Sequence, residues 1–421
     1  MRNRQRIAIV GSGISGLTAA YLLSKKHDVS LYEANDYLGG HTHTKNVMID
    51  GNSYPVNTGF IVFNDWTYPN FIKLMDQLGV QSEASDMSFS VKCEETGLEY
   101  NGTSLNGLFS QRLNLITPSF LRMVYDIISF NKSAVTELKF GNLDETKTLG
   151  NFLIDKGYSD KFIKNYIVPM GAAIWSSSYS VMMNFPLKFF LQFFHNHGML
   201  SINNRPEWRV ISGGSQSYIE PLIKTFKDNV HLNTPIKKVI RNYNGVVVVS
   251  SDGVESDYDH IVFACHSDQA LKILHSPTKE ENEILSSIVY KDNQVVLHTD
   301  TRLLPSNKRA WASWNYHISS ESHADAMVTY NMNMLQNFDI KNETLLVTLN
   351  RCNEIAPEKI IQSYTYSHPV FNAVAVEAQQ RHSEISGINR THYCGAYWFN
   401  GFHEDGVNSA LRVAKYFGIE L

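Results

Sequence analysis

The 421-residue sequence has only four cysteines, Cys93, Cys265, Cys352 and Cys394. They lie far apart and form no Cys-x-x-Cys pair, which argues against a zinc ribbon or a disulfide framework and makes reduced thiols the default. An excess of one charge is also missing. Lys and Arg number 37 against 41 Asp and Glu, a formal net charge of -4, so there is no electrostatic footprint for a polyanion and nucleic-acid partners are discounted. No uninterrupted apolar run approaches the roughly 20 residues of a membrane-spanning helix. The basic start, Met1 to Arg6, leads into an apolar stretch broken at once by Gly11-Ser12-Gly13, which argues against a secretory signal. The expectation is a cytoplasmic protein that meets a membrane, if at all, only peripherally at its inner face. With no paired cysteines and no His-Glu-x-x-His constellation, no metal is expected.

What is present is a chain of 43% hydrophobic and 19% charged residues, enough for a core of two or three domain-sized units. Ile7-Ala8-Ile9-Val10 is a short β-branched run that ends at Gly11-Ser12-Gly13-Ile14-Ser15-Gly16 and opens a helical stretch from Leu17 to Ser24. Gly11 permits the tight turn, Gly13 lets backbone approach a pyrophosphate, and Gly16 lets helix pack close on strand, with the helix start at Ile14 and Ser15 turned to the phosphates. A second strand, Val29 to Tyr32, ends in Glu33, about 20 residues past the turn, where a carboxylate can accept hydrogen bonds from ribose hydroxyls. Such glycine turns also pack ordinary βαβ units, so context decides. Leu38-Gly39-Gly40-His41 follows Glu33 directly, and its glycine pair supplies backbone freedom beside a second stretch of nucleotide. NAD-only domains usually lack this extension, so FAD is the expected cofactor.

These residues resemble the flavin-containing amine oxidase and phytoene desaturase superfamily, with His41 standing where its second glycine motif usually has arginine. Further short matches follow in order almost end to end: Gly39 to Thr42, Asn57-Thr58-Gly59-Phe60, Pro169 to Ser176, Arg205 to Arg209, Ser212 to Ser215, Ala264 to Ala270, Ala312 to Tyr316, and Gly401 to Gly406. They are most similar to one branch, predicted FAD-binding proteins often encoded beside cyclopropane fatty acid synthases and similar to the N-terminal oxidase part of plant cyclopropane synthases. The resemblance implies an α/β protein: a two-dinucleotide-binding-domain, Rossmann-like FAD domain with a discontinuous α+β substrate domain. Residues 1–67, 205–275 and 386–421 would form the FAD domain. Residues 68–204, mainly helical, and 276–385 would form the substrate domain. The implied activity is FAD-dependent oxidation or desaturation of an unsaturated or modified fatty acyl chain, free or phospholipid-linked.

By the same resemblance the flavin is held by both ends of the chain. His41, Thr42, Thr58, Gly59 and Phe60 would line it from the N-terminal side, the Val239 backbone would pair with the adenine edge, and Gly395 would approach the pyrophosphate. Glu404-Asp405-Gly406-Val407 would open a helix whose first amides face the flavin ring. A plain sheet valine and a bare helix cap are the competing readings of Val239 and Asp405. The cofactor carries the electron chemistry, so the protein needs only to place a C–H bond and exclude competing reactions. His298, ending the run Val295-Val296-Leu297, is the first catalytic candidate, as a base or a water-orienting group. His403 and Tyr316 are the others, and Trp175 and Trp314 are placed in the substrate pocket by resemblance. Ordinary packing is the alternative for each. Two stretches could meet a lipid surface, Leu105 to Phe130 with Arg112 and Arg122, and the aromatic run Phe185 to Phe194; a buried helix face competes with both. Two further functions stay open: a flavin amine oxidase, which needs an aromatic cage beside the flavin, and a flavin-bound partner of a lipid methyltransferase that turns over no substrate.

Overall fold

The computed structural model describes residues 4–319 and 325–421, apart from Asn142, Asp144, Glu145, Ile202 and Asn204. The strands that frame the site are, in chain order, β1 (Arg6–Val10), β2 (Asp28–Tyr32), β3 (Phe89–Cys93), β4 (Glu99–Asn101), β5 (Val230–His231), β6 (His260–Phe263), β7 (Tyr290–His298), β8 (Trp314–Ile318), β9 (Met327–Asn331), β10 (Leu346–Leu349), β11 (Ile360–Pro369) and β12 (Thr391–Tyr393). The helices are α1 (Ile14–Ser24), α2 (Pro69–Leu78), α3 (Pro118–Phe140), α4 (Val168–Trp175), α5 (Leu187–Asn196) and α6 (His403–Tyr416).

Two sheets divide the work. The first is wholly parallel, in the order β5-β2-β1-β6-β12. Its central strands read as continuous apolar runs, Ile7 to Val10 and Ile261 to Phe263, because one face is covered by α1 and α6 and the other by a three-stranded antiparallel sheet, residues 236–258, together with neighbouring helices, which leaves these side chains buried. The second sheet has seven strands, in the order β11-β7-β10-β9-β8-β3-β4. Its residues alternate with the two-residue period of a pleated strand. One face carries Val295, Leu349, Val328, Tyr316 and Val91 in register across five strands. The other carries a buried polar row in which Thr348 bonds Thr329 at 2.9 Å and Ser90 bonds Asn315 at 2.8 Å. Satisfied polar groups cost the core little, whereas unpaired ones would each cost about 1–3 kcal/mol.

Helices α3, α4 and α5 share one core with the apolar face of this sheet. α3 starts at Pro118, where a fixed φ suits the first helical position. α5 turns Phe190, Phe193 and Phe194 inward at helical spacing, with Lys188 and Gln192 outward, and stops before Gly198 at φ +66°. Phe185, Phe190, Phe193 and Phe194 are at most 3% exposed, so the lipid-surface expectation for this stretch fails. Each such burial contributes about 1.5–3 kcal/mol, which a fold of ordinary stability cannot give up. No helix among the described residues is long and apolar enough to cross a membrane.

Candidate functional site

The glycine turn after β1 is built by close approach. Gly11 has φ +103°, and a Cβ there would lie 2.9 Å from the Ala264 carbonyl. A Cβ on Gly16 would lie 1.9 Å from the Gly11 oxygen, so α1 can pack on the turn only if that residue is glycine. Gly13 differs: its φ is -62° and a Cβ would meet nothing within 4 Å, so its open side faces space rather than protein. The second glycine pair closes over it, with the Gly39 amide donating to the Ser12 carbonyl at 3.1 Å and a Gly40 Cβ only 3.4 Å from the Gly13 Cα. Glu33 sits at the end of β2 and accepts from the Ser12 amide at 3.0 Å and the Asn35 amide at 2.9 Å. That fixes the carboxylate beside the turn.

The C-terminal helix meets this turn head-on. A Cβ on Gly406 would stand 2.5 Å from Ile14 Cγ2 and 3.0 Å from Ser15 Oγ, so the N-termini of α1 and α6 converge. Ser409 Oγ ties them to the last strand by accepting from the Gly395 amide at 2.8 Å, and Val407 is fully buried behind them. The two acids at the helix start are already engaged. Glu404 accepts from the Asn70 and Phe71 amides at 3.1 and 2.7 Å and so caps α2, while Asp405 accepts from the Phe402 amide at 2.9 Å. Burial raises Glu404 and pushes Asp405 up to about 7. Asp405 thus caps α6 as its competing reading had it, and what the helix has left for a ligand is the orphan amides of its first turn.

His403 is a pin rather than a reacting group. Its Nε2 lies 3.0 Å from both Thr42 Oγ1 and Tyr218 Oη, Thr42 and Tyr218 bond each other, and Phe60 stacks on the ring at 3.4 Å. Burial holds it well below the usual histidine range, so it is neutral at physiological pH. Gly59 packs against His41, where a Cβ would fall 2.2 Å from the carbonyl, and the Phe60 amide donates to that carbonyl at 2.7 Å. Thr58 Oγ1 bonds Tyr366 Oη at 2.9 Å, linking this loop to β11.

Above the second glycine pair lies a cluster that sequence reasoning missed. The His41 ring is 5.0 Å from Tyr366, 5.3 Å from His368 and 6.5 Å from His266, and its Nε2 is buried with no partner among the described residues. Desolvation is the main cause that lowers His41 and His266 to about 4 and His368 to about 3, leaving all three neutral. Asn293 is held by Asn350 at 2.9 Å and meets His368 Nδ1 at 3.3 Å, and Tyr290 stacks on His266 at 4.2 Å. The available signal was the alternation Tyr364, Tyr366, His368 along one strand, which puts three polar rings on one face.

His298 is not part of this cluster. β7 meets the FAD-domain side at Tyr290, whose hydroxyl accepts from the Ser267 amide at 3.1 Å; His298 is eight residues further on, roughly 26 Å along an extended strand. There its Nδ1 accepts from the Asp300 amide at 3.0 Å and its Nε2 bonds Thr348 at 2.7 Å, so both nitrogens are used. Tyr316 lies mid-sheet on the apolar face, and burial raises its hydroxyl far out of any proton-transfer range. Trp314 packs edge-on against Tyr330 at 4.8 Å in the same core. Trp175 reaches the cleft end, where its indole donates to the Asn400 carbonyl at 3.4 Å and its ring lies 4.7 Å from Phe193. Phe402, also missed, stacks on Phe193 at 5.1 Å and packs against the cores of both sheets. The Val239 carbonyl accepts from the His275 amide at 2.8 Å, and the chain that runs beside Glu33 is Asn233-Thr234. The Val239 carbonyl thus has its partner within the fold.

The arrangement fits an extended dinucleotide. Gly13 leaves an open side that a Cβ would fill, two helix N-termini converge on it, and beside the second glycine pair the buried His41 Nε2 has no partner among the described residues. Fold and site define a Rossmann-like flavoprotein. A family model described as flavin containing amine oxidoreductase matches residues 14–416, and the chain belongs to that family. It is an FAD-dependent oxidoreductase. The chain is 36% identical over 77 residues to the zeta-carotene desaturase of Synechocystis sp., a match spanning 18% of this chain and 15% of that relative. Among solved structures, cyclohexylamine oxidase from Brevibacterium oxydans IH-35A has a TM-score of 0.70 at 14% identity, covering 99% of this chain and 100% of that one. A CLA-producing fatty acid isomerase from P. acnes has a TM-score of 0.68 at 18% identity, covering 98% and 99%. Both show the shared fold.

Proposed function

We propose that this oxidoreductase oxidises or desaturates a long unsaturated or modified acyl chain. The observation that carries the reading is the apolar character of the packing beside the start of α6: Phe189, Phe193, Trp175, Phe371 and Phe402 form one aromatic cluster from α5 to that point. The acids nearest that end, Glu404 and Asp405, accept from backbone amides. The fatty acid isomerase and the zeta-carotene desaturase, whose names denote long apolar substrates, support the same direction.

In this reading Gly13, the Ile14–Ser15 amides and Gly395 take the pyrophosphate, Glu33 the ribose hydroxyls, and Gly40, His41 and Thr58 to Phe60 the flavin side. FAD held by these residues would supply the hydride acceptor. The first amides of α6 stabilise negative charge at their helix terminus. The neutral ring of His41 offers a hydrogen bond without adding charge, and the aromatic wall excludes water. The test is anaerobic: add phospholipids bearing unsaturated, cyclopropane or methylated chains to the FAD-loaded protein and follow the flavin absorbance. Bleaching by one lipid class, slowed at least about tenfold by Phe402→Ala, supports the proposal. Bleaching by amines and by no lipid replaces it with an amine oxidase.

A further inference from the structure

We propose that the outward face of residues 105–140 is a docking surface for an anionic lipid bilayer. On the short turn before α3, Leu113, Leu115 and Ile116 are 76%, 52% and 77% exposed, and Leu121, Tyr125 and Ile128 continue the same apolar surface along one side of α3 at i, i+4 and i+7. The opposite side of α3 carries Phe120, Met123 and Phe130, all fully buried in the substrate-side core. A helix with one apolar face is ordinary. This one is apolar on both, and a contiguous exposed apolar patch marks an interaction surface.

Charge identifies the occupant. The segment has two acids, and both are withdrawn from its surface: Asp126 is 1% exposed and bonds Arg122 and the Ser159 amide, and Glu137 pairs with Lys147 and Lys156. Its cations remain outside. The Arg112 guanidinium is held by the Phe109 carbonyl at 2.7 Å and the Asn106 side chain at 2.6 Å, both neutral, and Lys132 has no carboxylate within ion-pair distance among the described residues. On a chain of net charge -4, the segment's own exposed charges that have no acidic partner among the described residues are positive, and the one exposed acid on the short helix beside Ser119, Asp160, is paired with Lys164. That combination matches the boundary between acyl chains and anionic headgroups, where apolar side chains insert and cations meet phosphate. The surface is also connected to the cleft, since α3 packs on α5, and α5 carries Phe193 to Phe402.

Docking is read without turnover, so its outcome is separable from that of the acyl-chain proposal. The FAD-loaded protein is co-sedimented with vesicles of phosphatidylcholine alone and of phosphatidylcholine with phosphatidylglycerol. Binding to the anionic vesicles is expected, weakened roughly tenfold by high salt and by the neutral vesicles. The double variant Leu113→Asp, Ile116→Asp and the separate variant Arg112→Ser, Lys132→Glu are each expected to lose it while keeping native flavin content, since these side chains lie outside the core. Failure of the native protein to sediment with anionic vesicles overturns the proposal, as does undiminished binding by both variants. A lipid-free dimer that the Leu113→Asp, Ile116→Asp variant makes monomeric also overturns it, in favour of self-association through this face.

Discussion

A histidine whose two ring nitrogens are both bonded, as His298 is to Thr348 and to the Asp300 amide, has neither a proton nor a lone pair to offer a substrate. Replacing it tests that directly. His298→Ala strands the buried Asp300 amide and removes one of the two partners of the Thr348 hydroxyl, at a cost of about 1–3 kcal/mol, so thermal denaturation is expected a few degrees lower, with FAD content and flavin reduction unchanged. A variant that melts normally but no longer reduces its flavin would restore a catalytic role. Asp405 gives a second residue-level test, of pH. Its folded pKa, raised to about 7 by burial, exceeds the ordinary value of 3.8. The folded state therefore keeps a proton that the unfolded state has lost, and this group's contribution falls as pH rises from about 4 to about 7 and is flat above. Asp405→Asn keeps the acceptor for the Phe402 amide and removes that slope, which denaturant titrations across the range will show.

Where two elements meet, a single methyl group distinguishes packing from binding. A Cβ at position 16 would collide with the Gly11 oxygen, so Gly16→Ala is expected to separate α1 from the turn and lower both stability and FAD affinity. Gly13→Ala meets no protein atom and sits at an allowed φ, so the apoprotein should melt as the native chain does. Its methyl group nonetheless occupies the open side, and FAD titration is expected to show affinity reduced by about tenfold or more. Equal FAD affinity in Gly13→Ala and the native protein would move the pyrophosphate away from this turn. At the same scale, Glu404 shows how an element boundary misleads: an acid at the start of α6 reads as that helix's own cap, yet its carboxylate serves α2.

Across the whole molecule, burial holds seven histidines far below their usual 6.5: His41, His197, His266 and His298 at about 4, His368 and His392 at about 3, and His403 well below the ordinary value. Each is neutral in the fold and charges freely once unfolded. The unfolded state thus binds more protons below about pH 6.5, and stability is lost as pH falls through the range between the folded values and 6.5. Glu404 and Asp405 act in the opposite sense, but two acids against seven histidines leave the histidines dominant. Denaturation at about pH 5 is expected to take up several protons, measurable from the pH dependence of the unfolding free energy; a flat dependence between about pH 5 and 7 would contradict the burial of these rings.

What the sequence determined by itself is what local chain order can encode. The strand, glycine turn and helix from Ile7 to Ser24, the acid that ends β2, and the buried runs of the parallel sheet follow from periodicity and from the geometry that glycine permits. The direction in which β7 crosses between the sheets is not local, which is why His298 reads as a cleft residue from the sequence and lies at the far end in the structure. Nor is the ring cluster local, since His41, in the turn after the second glycine pair, and His368, on β11, are brought together across hundreds of residues. Tertiary structure alone decided which polar groups are desolvated, which acids are spent on backbone amides and which apolar face remains open to solvent, because each depends on neighbours that the chain acquires only by folding.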